Sequence, residues 1–184
     1  LGPQRQAEWY VRDVLLAHAY RFPFISLTLL YDAGNSYNGS FWGATGLCQR
    51  FPLLYPKPSY VAVATATRVL DCVTLRREVP TGSNCVYALD FARADGKSVY
   101  PLWTARGTCA LTLTLKGAPR VDVVDLYGRT RSLAATGGKL SLTAGGAVQY
   151  VVTSGTLVGL TCGRRTYPDD QPPAGFTVAD TMAD

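Results

Sequence analysis

Between Cys85 and Thr153 the chain is a series of short alternating runs cut by turn signals, and this series limits the possible folds more than any other feature. Cys85–Arg93 ends in Ala94-Asp95-Gly96-Lys97, Ser98–Thr104 in Ala105-Arg106-Gly107, and Cys109–Leu115 in Lys116-Gly117-Ala118-Pro119. Arg120–Leu126 ends in Tyr127-Gly128, Arg129–Ala135 in Thr136-Gly137-Gly138, and Lys139–Leu142 in Ala144-Gly145-Gly146; Ala147–Thr153 completes the series. Alternation with a period of two marks strands, and Asp-Gly or Gly-Gly between them supplies the left-handed backbone that tight hairpins need. About seven strands at this spacing predict an antiparallel β-sandwich over residues 73–154, with its start between Cys72 and Asn84. After Ser154 the pattern decays. Pro168-Asp169-Asp170-Gln171-Pro172-Pro173 reads as a linker, so residues 155–184 are expected to be a linker or disordered tail.

Residues 1–72 have a different texture. Ala7, Val11, Val14, Leu15 and His18 fall on one helical face, Pro3 suits a first turn, and Pro23 ends the pattern. His18, on or beside that face near the helix end, reads as a packing histidine. Phe24–Leu30 is too short for a stable helix and almost wholly apolar, which predicts a strand buried on both faces, as in a parallel sheet. A long loop rich in Gly, Asn, Tyr and Trp follows and closes on Pro56-Lys57-Pro58-Ser59-Tyr60. Pro58–Asp71 fits two patterns. Val61, Val63, Thr65, Thr67 and Val69 alternate like a strand, while Pro58 at N1 and Tyr60, Ala64, Thr67 and Asp71 on one face fit a helix.

The totals exclude several classes. A length of 184 residues is short of the roughly 250 of a complete TIM barrel. A net charge of +5 without a basic stripe argues against nucleic-acid binding, and no apolar run reaches the roughly 18 residues of a membrane span. The five cysteines show no CxxC pair, and with His18 as the sole histidine neither a metal site nor a cofactor is expected. Most of the cysteines read as buried and unpaired. The chain begins at Leu1 in mid-pattern, with no signal peptide, and reads as a piece of a longer protein.

Two groups of segments resemble the C-terminal part of retaining, two-glutamate TIM-barrel glycoside hydrolases, in particular β-xylosidase-like and cellulase-like members with an appended β-sandwich. The first group is Gln6–Arg12, Phe24–Tyr31 with Asp32-Ala33-Gly34, Phe41-Trp42-Gly43, Gly46-Leu47 and Pro56–Ala62. The second is Tyr87–Phe91, Leu102-Trp103-Thr104 and Val123–Gly128. The likeness spans roughly residues 4 to 153. It implies a fold of class α/β plus all-β: an incomplete, helix-strand-helix remnant of a TIM barrel over residues 1–72, then the sandwich. It also implies that Pro58–Asp71 is helical, that the protein is secreted or extracellular, and that the missing N-terminal barrel portion of the same chain is its partner. The sequence departs from the pattern where Trp42 is inserted and where Cys48-Gln49-Arg50-Phe51 follows Gly46-Leu47.

Retaining glycosidases need two carboxylates about 5–5.5 Å apart, one as acid/base and one as nucleophile. This chain has two glutamates, Glu8 and Glu78, and neither falls at a strand's C-terminal end. No catalytic residue is therefore assigned, and the chain alone is expected to be inactive. Asp90, Asp122 and Asp125 read as turn caps or solvated positions. What remains is contact with an oligo- or polysaccharide substrate through Tyr31, Asp32, Asn35, Tyr37 and Trp42, which combine apolar ring faces with hydrogen-bonding groups. A competing reading makes the sandwich a non-catalytic module for glycan binding or structural support. An exposed aromatic row on the sandwich would favour glycan binding, and a buried Trp103 would favour support. A pseudo-enzyme is the third reading.

Overall fold

The structure is a computed structural model and describes residues 2–27, 29–33 and 41–167. Its elements in chain order are helix α1 (Pro3–Ala19), a 3-10 turn (Phe41–Ala44), helix α2 (Pro58–Val69) and nine strands. The strands are β1 (Val73–Glu78), β2 (Val86–Arg93), β3 (Ser98–Thr104), β4 (Cys109–Lys116) and β5 (Arg120–Val124). They continue as β6 (Thr130–Ala134), β7 (Lys139–Ala144), β8 (Gln149–Thr153) and β9 (Thr156–Arg165). One antiparallel sheet has the order β1-β2-β3-β8-β5-β6, and a narrower one has β7-β4-β9.

The helices form a third layer. Ala7, Val11 and Leu15 of α1 stand at i, i+4 and i+8. With Ala62, Ala66 and Val69 of α2 they share a core with Leu89, Phe91, Val99, Trp103 and Tyr150 of the six-stranded sheet. A second core, including Val86, Ala88, Tyr100, Leu102, Leu111, Leu113, Val123 and Leu157, lies between the sheets. The six-stranded sheet is thus covered on both faces, so its central strands β2 and β3 are buried almost continuously. Strand β4 has one solvent face and keeps strict alternation, with Cys109, Leu111, Leu113 and Leu115 inside.

Residues 58–69 are helical. Ala62, Thr65, Ala66 and Val69 pack at helical spacing while Tyr60 and Val61 face outward, so the β-branched residues of the run do not form a strand. His18 packs edge-on against Phe91, with ring centres 5.9 Å apart, in the role expected of it. None of the five cysteines is bridged, and Cys85 and Cys109 are buried.

Several expectations are corrected. Among the described residues the sandwich has nine strands, not about seven, because β1 and β9 belong to it. Thr156–Arg165 is therefore strand and not tail, paired along β4. The divisions 1–72 and 73–154 do not separate the packing, since one core draws on both. Phe24–Leu30 forms no buried strand. Phe24 is 80% exposed and Leu30 63%, and Thr28 lies outside the described residues. The physical reason is that, among the described residues, no strand flanks it. The carbonyls of Leu29 and Leu30 accept from the backbone amides of Leu47 and Cys48, at 3.3 and 2.8 Å. Asp90 is not solvated. A β-bulge between Leu75 and Arg77 sets Arg76 and Arg77 opposite its buried carboxylate, at 3.0 and 3.5 Å. Asp125 is a turn cap as read, accepting from the amides of Tyr127 and Arg129, both at 2.9 Å.

Candidate functional site

The N-terminal ends of α1 and α2 and the chain between them enclose an open groove of about 530 Å³. Its walls include Gln6, Asp32, Gln49, Arg50, Lys57 and the start of α2 at Pro58. Both helices begin with a proline in their first turn, which fixes φ where no N–H is needed, so both chain entries into the groove are rigid.

Of the expected sugar-contacting residues, Tyr31 is half-exposed and forms an isolated parallel bridge with Cys48. Asn35 and Tyr37 lie outside the described residues. The backbone of Trp42 belongs to the 3-10 turn. Asp32 is part of the scaffold. Its Oδ1 accepts from Lys57 Nζ at 2.8 Å and from the Gly46 amide at 3.0 Å. Both side chains of the pair are mostly buried, so water screens the pair less than an exposed one.

The same Lys57 ammonium donates to the Ala44 carbonyl at 2.8 Å. Gln6 Nε2 donates to the carbonyls of Ala44 and Gly46, at 3.0 and 3.3 Å, and the Tyr10 hydroxyl donates to that of Thr45. The turn 44–46 is thus gripped from α1, from the residue before α2, and from Asp32. Gly46 admits no side chain, because a Cβ there would sit 2.2 Å from the Tyr31 carbonyl carbon and 2.3 Å from the Asp32 nitrogen.

Lys57, Gln6, Tyr10 and Gly46 were not singled out as site residues. The signals were faint. Lys57 occupies the cap position just before Pro58, and Gln6 and Tyr10 are polar residues at i and i+4 beside the apolar stripe.

Among the described residues the groove holds no pair of free carboxylates. Glu8 accepts from Gln4 at 2.9 Å and faces Arg12 at 3.5 Å, and Glu78 lies at the end of β1 on a separate depression. Burial is the main cause lowering the affinity of the Arg12 guanidinium for its proton, which the neighbouring Glu8 partly opposes. Among the described residues no cluster of three His, Cys, Asp or Glu side chains could hold a metal ion. The site can position a rim and present hydrogen-bonding groups; among the described residues nothing in it forms an acid/base pair.

On the sandwich, Trp103 is fully buried and stacks on Tyr87 with ring centres 5.0 Å apart and planes within 5°. The exposed large aromatics among the described residues all lie between Trp9 and Tyr60. Among the described residues the sandwich offers no aromatic platform, the feature that would favour glycan binding by that unit.

No protein-family profile matches the chain. No curated protein matches it significantly either. A search of solved structures finds a likeness to a family 39 glycoside hydrolase from the gut symbiont Bacteroides cellulosilyticus WH2, with a TM-score of 0.65 and 21% sequence identity. The match covers 80% of this chain but spans 30% of that enzyme, so the two share the fold of one part.

Proposed function

We propose that this chain is the C-terminal portion of a carbohydrate-active hydrolase whose parent reaction is retaining cleavage of O-glycosidic bonds. In this reading α1, the segment 22–57 and α2 are the last part of a TIM barrel, and the sandwich buttresses it. The acid/base and nucleophilic carboxylates come from barrel strands outside these 184 residues. Tyr31, Asn35, Tyr37 and Trp42 form a sugar-facing rim, with Asp32 at its base, and an oligo- or polysaccharide is the ligand. Secretion belongs to the same proposal.

The observation that carries the reading is an apolar surface that belongs to neither core. Phe22, Phe24, Ile25 and Leu30 are exposed along a segment that, among the described residues, belongs to neither sheet, and Phe51 and Leu53 are exposed on the turn after Cys48. Solvated apolar area on this scale marks a docking face, and an apolar segment outside any sheet is the form a barrel strand takes when the strands beside it are absent. The likeness in fold to part of a glycoside hydrolase supports the same reading.

The test uses the chain itself. An apolar dye is expected to bind strongly, with concentration-dependent self-association. The variant Phe24→Ser with Phe51→Ser should lose most of both while its thermal transition stays in place. Dye binding and association that persist unchanged in the variant would count against a docking face here.

A further inference from the structure

Helix α1 carries three stripes, each with a spacing of four. Ala7, Val11 and Leu15 enter the core. Gln6 and Tyr10 hold the rim turn 44–46. Gln4, Glu8 and Arg12 face the sandwich. Arg12 Nε donates to the Gly146 carbonyl at 3.0 Å, and its Nη2 donates to the same oxygen. The Tyr127 hydroxyl donates to Gln4, whose amide donates in turn to Glu8 at 2.9 Å. A Cβ at Gly146 would lie 2.7 Å from both Arg12 Nη2 and Glu8 Oε2, so a side chain there would displace the ends of these two side chains.

We infer that Arg12 and Gly146 are positioning residues for the rim. The sandwich turn at Gly145-Gly146 fixes α1 through Arg12, and α1 fixes the turn 44–46 through Gln6 and Tyr10. The sandwich thereby sets where the turn 44–46, at the end of the 3-10 turn, stands, which goes beyond passive support. Tyr10 and Arg12 lie two residues apart, within one helical turn, so a shift at one stripe is carried to the next. The Arg12 and Glu8 side chains are only 12% and 17% exposed, so their contacts with the turn are weakly screened. The Asp32–Lys57 pair holds the same rim turn from the other side.

This inference rests on the proposed function only for what the rim contacts; the coupling can be read without a sugar. The experiment is amide hydrogen exchange on the 184-residue chain. Arg12→Met keeps the apolar stem and removes the donors to Gly146. Exchange at Gly46, Leu47 and Cys48 should rise at least about tenfold, the scale of one lost charge-assisted hydrogen bond, while the amides of β2 and β3 keep their rates. Arg12→Lys restores a charge and a donor and should recover part of the protection. If Arg12→Met lowers overall folding, Tyr127→Phe, which removes the sandwich hydroxyl that donates to Gln4 of the same stripe, should produce a smaller rise at the same three amides. Wild-type exchange at Gly46–Cys48 in both variants would overturn the inference. A chain that shows the coupling and yet binds no oligosaccharide with its barrel complete would overturn the functional reading alone.

Discussion

Trp103→Ala is expected to lower the unfolding free energy by about 3–5 kcal/mol, the cost of emptying a large buried aromatic site. Trp103 is buried at the meeting of α1, α2 and the six-stranded sheet, and it loses its stacked partner Tyr87 as well as its core contacts. Denaturant unfolding by circular dichroism measures the loss. Trp103→Phe keeps most of the volume and should cost less than half as much. If Trp103 were instead a ligand platform on the sandwich, the Ala variant would melt near the wild type and lose glycan affinity. Its burial predicts the reverse, a large stability loss with no local effect on sugar contact.

Cutting the chain between its helical and strand parts should have a larger effect still. Residues 73–167 alone would expose Leu89, Phe91, Val99, Trp103 and Tyr150, which the helices cover. Each such side chain returned to water forfeits about 1.5–3 kcal/mol, and together they are comparable with the whole net stability of an ordinary domain, about 5–15 kcal/mol. The expected result is no cooperative melting transition for 73–167, and none for 1–72, whose helices would lose the same core from the other side. The whole chain should melt cooperatively. A sharp transition in either half would show that the shared core contributes little.

The seven runs from Cys85 to Thr153 could be read because turn glycines punctuate them, and Gly96, Gly107, Gly117, Gly128, Gly137 and Gly138 all have positive φ in the structure. Strand β9 escaped because its alternation changes phase. Leu157 faces Leu115, but the next inward residues are Leu160 opposite Leu113 and Cys162 opposite Leu111, a spacing of three and then two across a bulge. Strand β1 escaped because it is an edge strand with little buried surface. The packing of the helices on the sandwich was hidden for a simpler reason. The apolar stripe of α1 says that something covers it, not what does.

The rim shows a similar limit. Aromatic and polar composition marked residues 31 to 42, but the role of Asp32 is set by Lys57, 25 residues away, and by the amide of Gly46, 14 residues away. Such a contact leaves no local pattern. Phe24–Leu30 failed in a different way. Its composition calls for burial on both faces, and the described chain covers neither fully, which leaves Phe24 and Leu30 exposed.

Hydrolysis of a panel of aryl glycosides, comparing the 184-residue chain with the product of its coding sequence extended upstream, tests the proposed function most directly. Turnover by the longer product alone, lost when one glutamate at the end of an added barrel strand becomes glutamine, is the expected result. Turnover by the 184-residue chain, whose groove holds no carboxylate pair among the described residues, or an inert longer product, would contradict it.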